Sequence, residues 1–316
     1  TLGALAVGGH AGRRAPFAPM LMDVEHIDAA YSYRLQRDGE SEADFAQRLA
    51  DQLETRIVEL GPETVAAFVA EPVVGASLGS QPAPAGYFKR VREICDRHGV
   101  LLIADEVMCG MGRTGSLFAL EQEGICADIT TMAKGLGAGY QPIAAVMARE
   151  SVIDAIMAGS GNLWNGHTYM SHAVATAGAL AVLQEVESRD LLSAVRALGQ
   201  QLETALRERF GQHAHVGDIR GRGLFWSIEL VADPDSKTPF DVGRNLAGKI
   251  QRAAMEAGMI CYPAQGCADG TAGDHVLLAP AFTSPPEEIE MTVEILGKAV
   301  DGVIAEGTAL RPLIGL

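Results

Sequence analysis

Basic residues are scarce in this chain of 316 residues, where 25 lysines and arginines are outnumbered by 40 aspartates and glutamates. Because nucleic acid and anionic membrane surfaces attract a basic face, the net charge of -15 argues against both as partners. Long apolar runs are missing too, and none reaches the roughly 20 residues of a membrane span. The five cysteines form no CxxC pair and no zinc-ligand spacing, so we expect reduced thiols, a cytoplasmic protein and no metal site.

The residues that are abundant indicate a compact α/β enzyme. Hydrophobic residues make up 48% of the chain, and 36 residues are glycine. Apolar spacing predicts helices over residues 42–60, 85–98, 172–186, 191–210 and 242–257. Buried strands are predicted over residues 65–71, 100–105, 129–132, 143–147, 223–231 and 275–278. The alternation of strand and helix predicts a parallel sheet with right-handed crossovers in a large domain, residues 1–195, followed by a smaller α/β domain, residues 196–316.

Two neighbouring strands of the predicted sheet each end in one chemically useful side chain. Asp105 closes the run Leu-Leu-Ile-Ala, and Lys134 follows Ile-Thr-Thr-Met-Ala. Ligands of open α/β sheets bind beyond the carboxyl ends of the strands. A lysine that forms a Schiff base and an acidic partner for a pyridinium nitrogen are what pyridoxal phosphate needs. Taken singly, Asp105 also fits a turn or cap residue and Lys134 a solvated loop.

The chain resembles the class III (omega-type) aminotransferases, which are fold-type I pyridoxal phosphate enzymes. The motifs that carry the resemblance occur in the family's order and roughly its spacing: Ala70-Glu71-Pro72-Val73, Ile103-Ala104-Asp105-Glu106-Val107, Gly110-Met111-Gly112-Arg113-Thr114-Gly115, Thr131-Met132-Ala133-Lys134-Gly135, Gly166-His167-Thr168-Tyr169, Arg220-Gly221-Arg222-Gly223-Leu224 and Leu277-Leu278-Ala279-Pro280. The family places a further segment before the position of Thr1, so the resemblance implies a large domain that is incomplete at its N-terminus.

The resemblance implies a role for four residues. Lys134 is the Schiff-base lysine and the general acid–base group, and Asp105 holds a proton on the pyridine nitrogen. Val107 packs against the cofactor ring. The hydroxyl and amide of Thr168 reach the cofactor phosphate of the neighbouring subunit, which implies a homodimer with shared active sites.

The resemblance also bears on substrates. Ornithine-type members pair a glutamate shortly after Glu-Pro with an arginine before the late Ala-Pro, and this chain has Ala76 and Leu277 at those positions. The joint loss of both partners is physically coherent, because a lone buried charge is costly. It favours transfer of an amino group from an amine or amino acid to a 2-oxo acid such as pyruvate. The arginine that relatives in this branch place before Gly-Asp-His is absent as well, which leaves the group that binds the acceptor open.

Other functions stay open at this point. A mutase, a decarboxylase or a racemase of the same fold shares the lysine and the aspartate, and a non-catalytic homologue is a further alternative. A nicotinamide oxidoreductase needs a Gly-rich first turn. The stretch Gly135-Leu136-Gly137-Ala138-Gly139 lacks both the full GxGxxG spacing and a suitably placed acidic residue.

Overall fold

The computed structural model describes residues 1–306. This part of the chain has ten α-helices: α1 (Leu2–Val7), α2 (Ala11–Arg14), α3 (Ser32–Leu35), α4 (Glu42–Leu60), α5 (Tyr87–His98), α6 (Glu150–Ala158), α7 (Ala173–Ser188), α8 (Leu191–Phe210), α9 (Leu246–Glu256) and α10 (Pro286–Glu306). It has ten strands: β1 (Ala67–Ala70), β2 (Val73–Val74), β3 (Gln81–Pro82), β4 (Leu101–Asp105), β5 (Ile129–Met132), β6 (Ala145–Ala148), β7 (Val216–Arg222), β8 (Phe225–Leu230), β9 (Tyr262–Gln265) and β10 (Asp274–Leu278). Short 3-10 helices span Ala15–Met20, Pro62–Thr64, Ala119–Glu123, Lys134–Leu136 and Val242–Arg244.

These elements form two compact units. One contains residues 25–75 and 82–196, and the other contains residues 1–24, 76–81 and 197–306 of the described chain. The domain boundary expected between residues 195 and 196 stays a prediction. Residues 307–316 of the predicted small domain lie outside the described residues.

Helix α4 has the bounds that the sequence predicts, because its start and stop signals are local. The hydroxyl of Ser41 accepts a hydrogen bond from the Asp44 amide at 3.1 Å and caps the N-terminus. Gly61, at φ 87°, ends the helix in a conformation that favours glycine. Apolar side chains every three or four residues face the core, where Phe45 and Leu49 are fully buried.

The sheet of the first unit has the strand order β1-β4-β5-β6. β1 and β5 both run parallel to β4, so the prediction of a mostly parallel sheet is confirmed. β6, however, pairs antiparallel with β5. The connection from Met132 to Ala145 contains only a single 3-10 turn among its regular elements, whereas a parallel return requires a longer crossover, usually a helix. The chain therefore reverses direction at this edge.

The second unit has an antiparallel sheet with the order β7-β8-β10-β9. Every residue of β8 and β10 is buried, as expected for the two central strands. β7 and β9 were not predicted. The helix predicted over 242–257 is interrupted, because Asn245 adopts a left-handed conformation at φ 48° between a 3-10 turn and α9.

Candidate active site

Asp105 is the last residue of β4 and is held there by two hydrogen bonds. Its Oδ1 accepts from the Val107 amide at 3.0 Å and from the Thr131 hydroxyl at 3.4 Å. Thr131 is also its neighbour in register on β5. Two such bonds to one oxygen fix the orientation of the carboxyl group. The strand end therefore presents a pre-positioned carboxylate.

The next residue, Glu106, anchors the loop that follows the same strand. It is 1% exposed and accepts from the amides of Ala119 and Leu120 at 2.7 and 3.0 Å. Burial raises the pKa of its carboxyl, and the two amides oppose that shift. Successive side chains along a strand point to opposite faces of the sheet. Asp105 therefore points away from the face on which Glu106 holds the loop over residues 110–120.

Lys134 lies two residues beyond β5, at the start of a 3-10 turn. Its backbone is left-handed at φ 40°, which is uncommon for a residue with a side chain. The following Gly135 allows close approach, since a Cβ there would lie 2.9 Å from the Cβ of Met111. The side chain of Lys134 is exposed. β4 and β5 are parallel neighbours, so Asp105 and Lys134 occupy the same edge of the sheet, as predicted.

Glu71 joins this edge and was not assigned a role from the sequence. It follows β1, and its Oε2 accepts from the Gly75 amide at 2.9 Å. The pKa of Glu71 is raised to about 7, mainly by burial and further by the negative charge of Asp105. The hydrogen bond from Gly75 and the charge of Lys134 lower it, but by less. A glutamate at the end of a predicted strand was the available signal.

Val107 and Thr168 occupy different parts of the unit. Val107 is partly buried two residues after β4, beside Asp105. Thr168 lies in the connection between α6 and α7, in an exposed turn where the Met170 amide donates to the His167 carbonyl at 3.0 Å. The strand ends thus gather Asp105, Val107 and Lys134, and Thr168 is not part of that group.

A buried ion pair ties the opposite ends of the same two strands together. Asp128, just before β5, accepts from Arg92 Nη1 and from the Leu102 amide of β4, both at 2.7 Å. Arg149 lies 3.2 Å from its other oxygen. Because Asp128 bonds to β4 directly, it fixes the register that brings Asp105 beside Thr131.

Comparison with known proteins identifies the family. The model of the family described as "Aminotransferase class-III" matches residues 1–300. The chain belongs to the class-III aminotransferases. It is 47% identical to a protein named "Aminotransferase" from Gibberella zeae, over 95% of this chain and 59% of that protein. The chain therefore spans about three fifths of the length of this curated relative.

Solved class-III structures share the fold. The omega transaminase from Pseudomonas jessenii in complex with PMP superposes with a TM-score of 0.88 at 36% identity, covering 97% of this chain and 66% of that one. A transaminase with L-Ala gives a TM-score of 0.87 at 35% identity, covering 98% of this chain and 71% of that one. The fold-type I architecture expected from the sequence is confirmed.

The residues of this chain fit the cofactor of the class-III aminotransferases, which are pyridoxal phosphate-dependent. A primary amine and an oriented carboxylate at neighbouring strand ends match the two groups that such a cofactor requires. Within residues 1–306 no three His, Cys, Asp or Glu side chains group as metal ligands, and no helix has both the length and the apolarity to cross a membrane.

Proposed function

We propose that this chain is a pyridoxal phosphate-dependent aminotransferase that moves an amino group from an amine or amino acid to a 2-oxo acid such as pyruvate. The observation that carries the proposal is that Asp105 and Lys134 lie at the same ends of two neighbouring parallel strands in a chain of the class-III family. When bound, pyridoxal phosphate supplies an aldehyde that takes up the amino group and a ring that accepts electrons. Pyruvate is the 2-oxo acid that corresponds to the L-Ala of the solved transaminase.

The residues of this chain then have distinct tasks. Lys134 is the proposed Schiff-base lysine, and its amine carries the proton to and from the substrate carbon. Asp105, oriented by Thr131 and the Val107 amide, holds the proton on the ring nitrogen. Val107 packs against the ring face. By resemblance, Leu277 stands at the sequence position where ornithine-type relatives have an arginine, which supports a substrate without a second carboxylate.

Labelling of the lysine tests this proposal. The purified chain is incubated with pyridoxal phosphate, reduced with borohydride and digested for peptide mass mapping. We expect the pyridoxyl mass on Lys134, its loss in Lys134→Ala and its retention in Lys89→Ala, which removes an exposed lysine of α5. Labelling spread over several surface lysines, or none on Lys134, contradicts the assignment. Formation of alanine from pyruvate and an amine donor tests transamination, whereas release of CO2 or racemisation without amino transfer indicates another reaction on the same fold.

We also propose that the chain forms a homodimer with shared active sites. Exposed large hydrophobic side chains concentrate between residues 140 and 180 and include Tyr140, Val146, Met147, Trp164, Tyr169 and Leu180. Val146 and Met147 point to opposite faces of the edge strand β6, and both are more than half exposed, at 69% and 55%. Apolar surface of this kind is typical of a protein–protein interface. The exposed turn of Thr168 lies within the same stretch, so we place Thr168 at the cofactor phosphate of the partner subunit.

Mixing inactive variants tests the shared site. If each site combines Lys134 of one subunit with Thr168 of the other, a hybrid of Lys134→Ala and Thr168→Ala contains one intact site. After unfolding and refolding an equal mixture, we expect roughly a quarter of wild-type activity, because half of the dimers are hybrids with one working site in two. Activity no greater than that of the separate variants contradicts sharing. The cytoplasmic location remains a proposal that rests on the five free cysteines.

A further inference from the structure

Glu71 belongs to a row of polar residues that crosses three strand ends. The last registered pair of β1 and β4 is Ala70 with Ala104, so the next position brings Glu71 beside Asp105. Asp105 in turn pairs with Thr131 of β5. Residues in register on parallel strands point to the same face of a sheet. The two carboxyl groups therefore lie at the edge of the sheet that Lys134 also occupies, near enough for the charge of Asp105 to raise the pKa of Glu71.

The two carboxyl groups have unequal partners. Asp105 accepts from an amide and a hydroxyl, both on one oxygen, whereas a single amide donor, that of Gly75, holds Glu71. Gly75 packs against Met108, where a Cβ would lie 2.2 Å from the sulfur. Hydrogen bonds to a carboxylate favour its charged form, and two adjacent carboxylates disfavour double ionisation. Burial, a single amide donor and a neighbouring carboxyl therefore favour the protonated form of Glu71.

The charged and titratable groups that face Glu71 come from each neighbouring element. They are Asp105 of β4, Lys134 after β5, and the buried thiol of Cys109, whose own pKa is raised first by burial. Burial and Asp105 raise the pKa of Glu71 to about 7, and Lys134 lowers it by less. Near neutrality Glu71 is thus poised between its two forms, and below neutrality it is protonated.

We propose that Glu71 is a positioning residue that holds a proton at this edge of the sheet, next to the Asp105 carboxyl that the cofactor's ring nitrogen would meet. The part concerning the ring nitrogen rests on the proposed function. The proton on Glu71 is a property of the chain itself. It is measurable without cofactor or substrate.

The stability of the chain as a function of pH tests the proposal. The folded pKa of Glu71, about 7, lies above the ordinary value of 4.5, so the folded state retains a proton that the unfolded state has lost. The contribution to stability is complete below the ordinary value and is lost as the pH rises through the folded value. Relative to Glu71→Gln, which has no proton to lose, the wild-type unfolding equilibrium constant should rise by a few hundred-fold between about pH 4 and pH 8. Glu63→Gln, an exposed glutamate before the same strand, is the control and should follow the wild-type curve.

A second measurement needs no variant. The Gly75 amide donates to Glu71, so its NMR chemical shift reports the state of that carboxyl. We expect a pH titration of this shift with a midpoint near 7. A midpoint near the ordinary glutamate value, or parallel stability curves for wild type and Glu71→Gln, overturns the proposal. Both readouts are made on the chain alone, so they are independent of the Lys134 labelling that decides the proposed function.

Discussion

Alanine substitutions at Asp128 and at Asp96 compare how much a buried and an exposed ion pair of the same arginine contribute to stability. Arg92 contacts Asp128 at 2.7 Å, where both side chains are about 10% exposed, and contacts Asp96 at 2.7 Å, where the aspartate is 61% exposed. Asp128→Ala removes the acceptor of Nη1 of the buried Arg92, which keeps only the exposed Asp96 as its partner, and also removes the acceptor of the Leu102 amide. Breaking a buried pair in this way destabilises by about 3–5 kcal/mol. Asp96→Ala should change stability by ~1 kcal/mol or less, because its charge is solvated.

Urea unfolding of wild type and the two variants measures this difference. With a dependence of about 3 kcal/mol per molar urea, a loss of ~4 kcal/mol lowers the midpoint for Asp128→Ala by more than about 1 M. The Asp96→Ala midpoint should move by only a few tenths of that amount. Equal shifts for the two variants, or a loss below ~1 kcal/mol for Asp128→Ala, would refute the reasoning that burial makes this ion pair decisive. The outcome also bears on the site, since Asp128 joins the starts of the two strands that carry Asp105 and Thr131.

Two further pairs of variants test packing and backbone conformation by the same urea midpoints. Leu49→Ala, in the core face of α4, should lose about 2–5 kcal/mol, whereas Val58→Ala, 59% exposed on the same helix, should lose less than ~1 kcal/mol; similar losses would contradict the assigned face. Gly39 and Gly79 both have positive φ, 76° and 70°, but a Cβ at Gly39 meets open space and one at Gly79 lies 2.5 Å from His275. We expect Gly39→Ala to lose ~1 kcal/mol from backbone strain and Gly79→Ala at least ~2 kcal/mol more, and equal losses would exclude the steric contact as the cause.

Local signals in the sequence predicted the elements that depend on them. α4 and α8 were predicted to their observed bounds because caps, periodicity and chain breakers all lie within the segment itself. β7 was missed because its sequence contains glycines and a buried arginine. The burial of Arg220 depends on Glu229, 2.7 Å away on another strand, and on the Gly79 carbonyl, 141 residues away in sequence. β9 was missed because it contains Pro263, a residue that usually indicates a turn. Proline is tolerated here because β9 is an edge strand, which pairs with β10 on one side only.

The site divides in the same way. Asp105 and Lys134 could be placed from the sequence because each ends a run that identifies itself as a buried strand. The proposed role of Glu71 could not be found from the sequence, because Glu-Pro after a strand is also common where a strand simply ends in a turn. What distinguishes Glu71 is that it directly follows Ala70, the partner of Ala104, while Asp105 follows Ala104; this register is a property of paired strands rather than of one segment.

The left-handed backbone at Lys134 has a consequence for protein engineering and for evolution. At φ 40° the backbone of a lysine has a higher conformational energy than that of a glycine or an asparagine. Lys134→Gly therefore relieves backbone strain. A directed-evolution campaign selecting only for heat resistance would therefore favour removing this side chain. The backbone conformation itself gives no reason for a lysine at this position, and a screen that scores catalysis alongside melting temperature would show whether activity and stability conflict there.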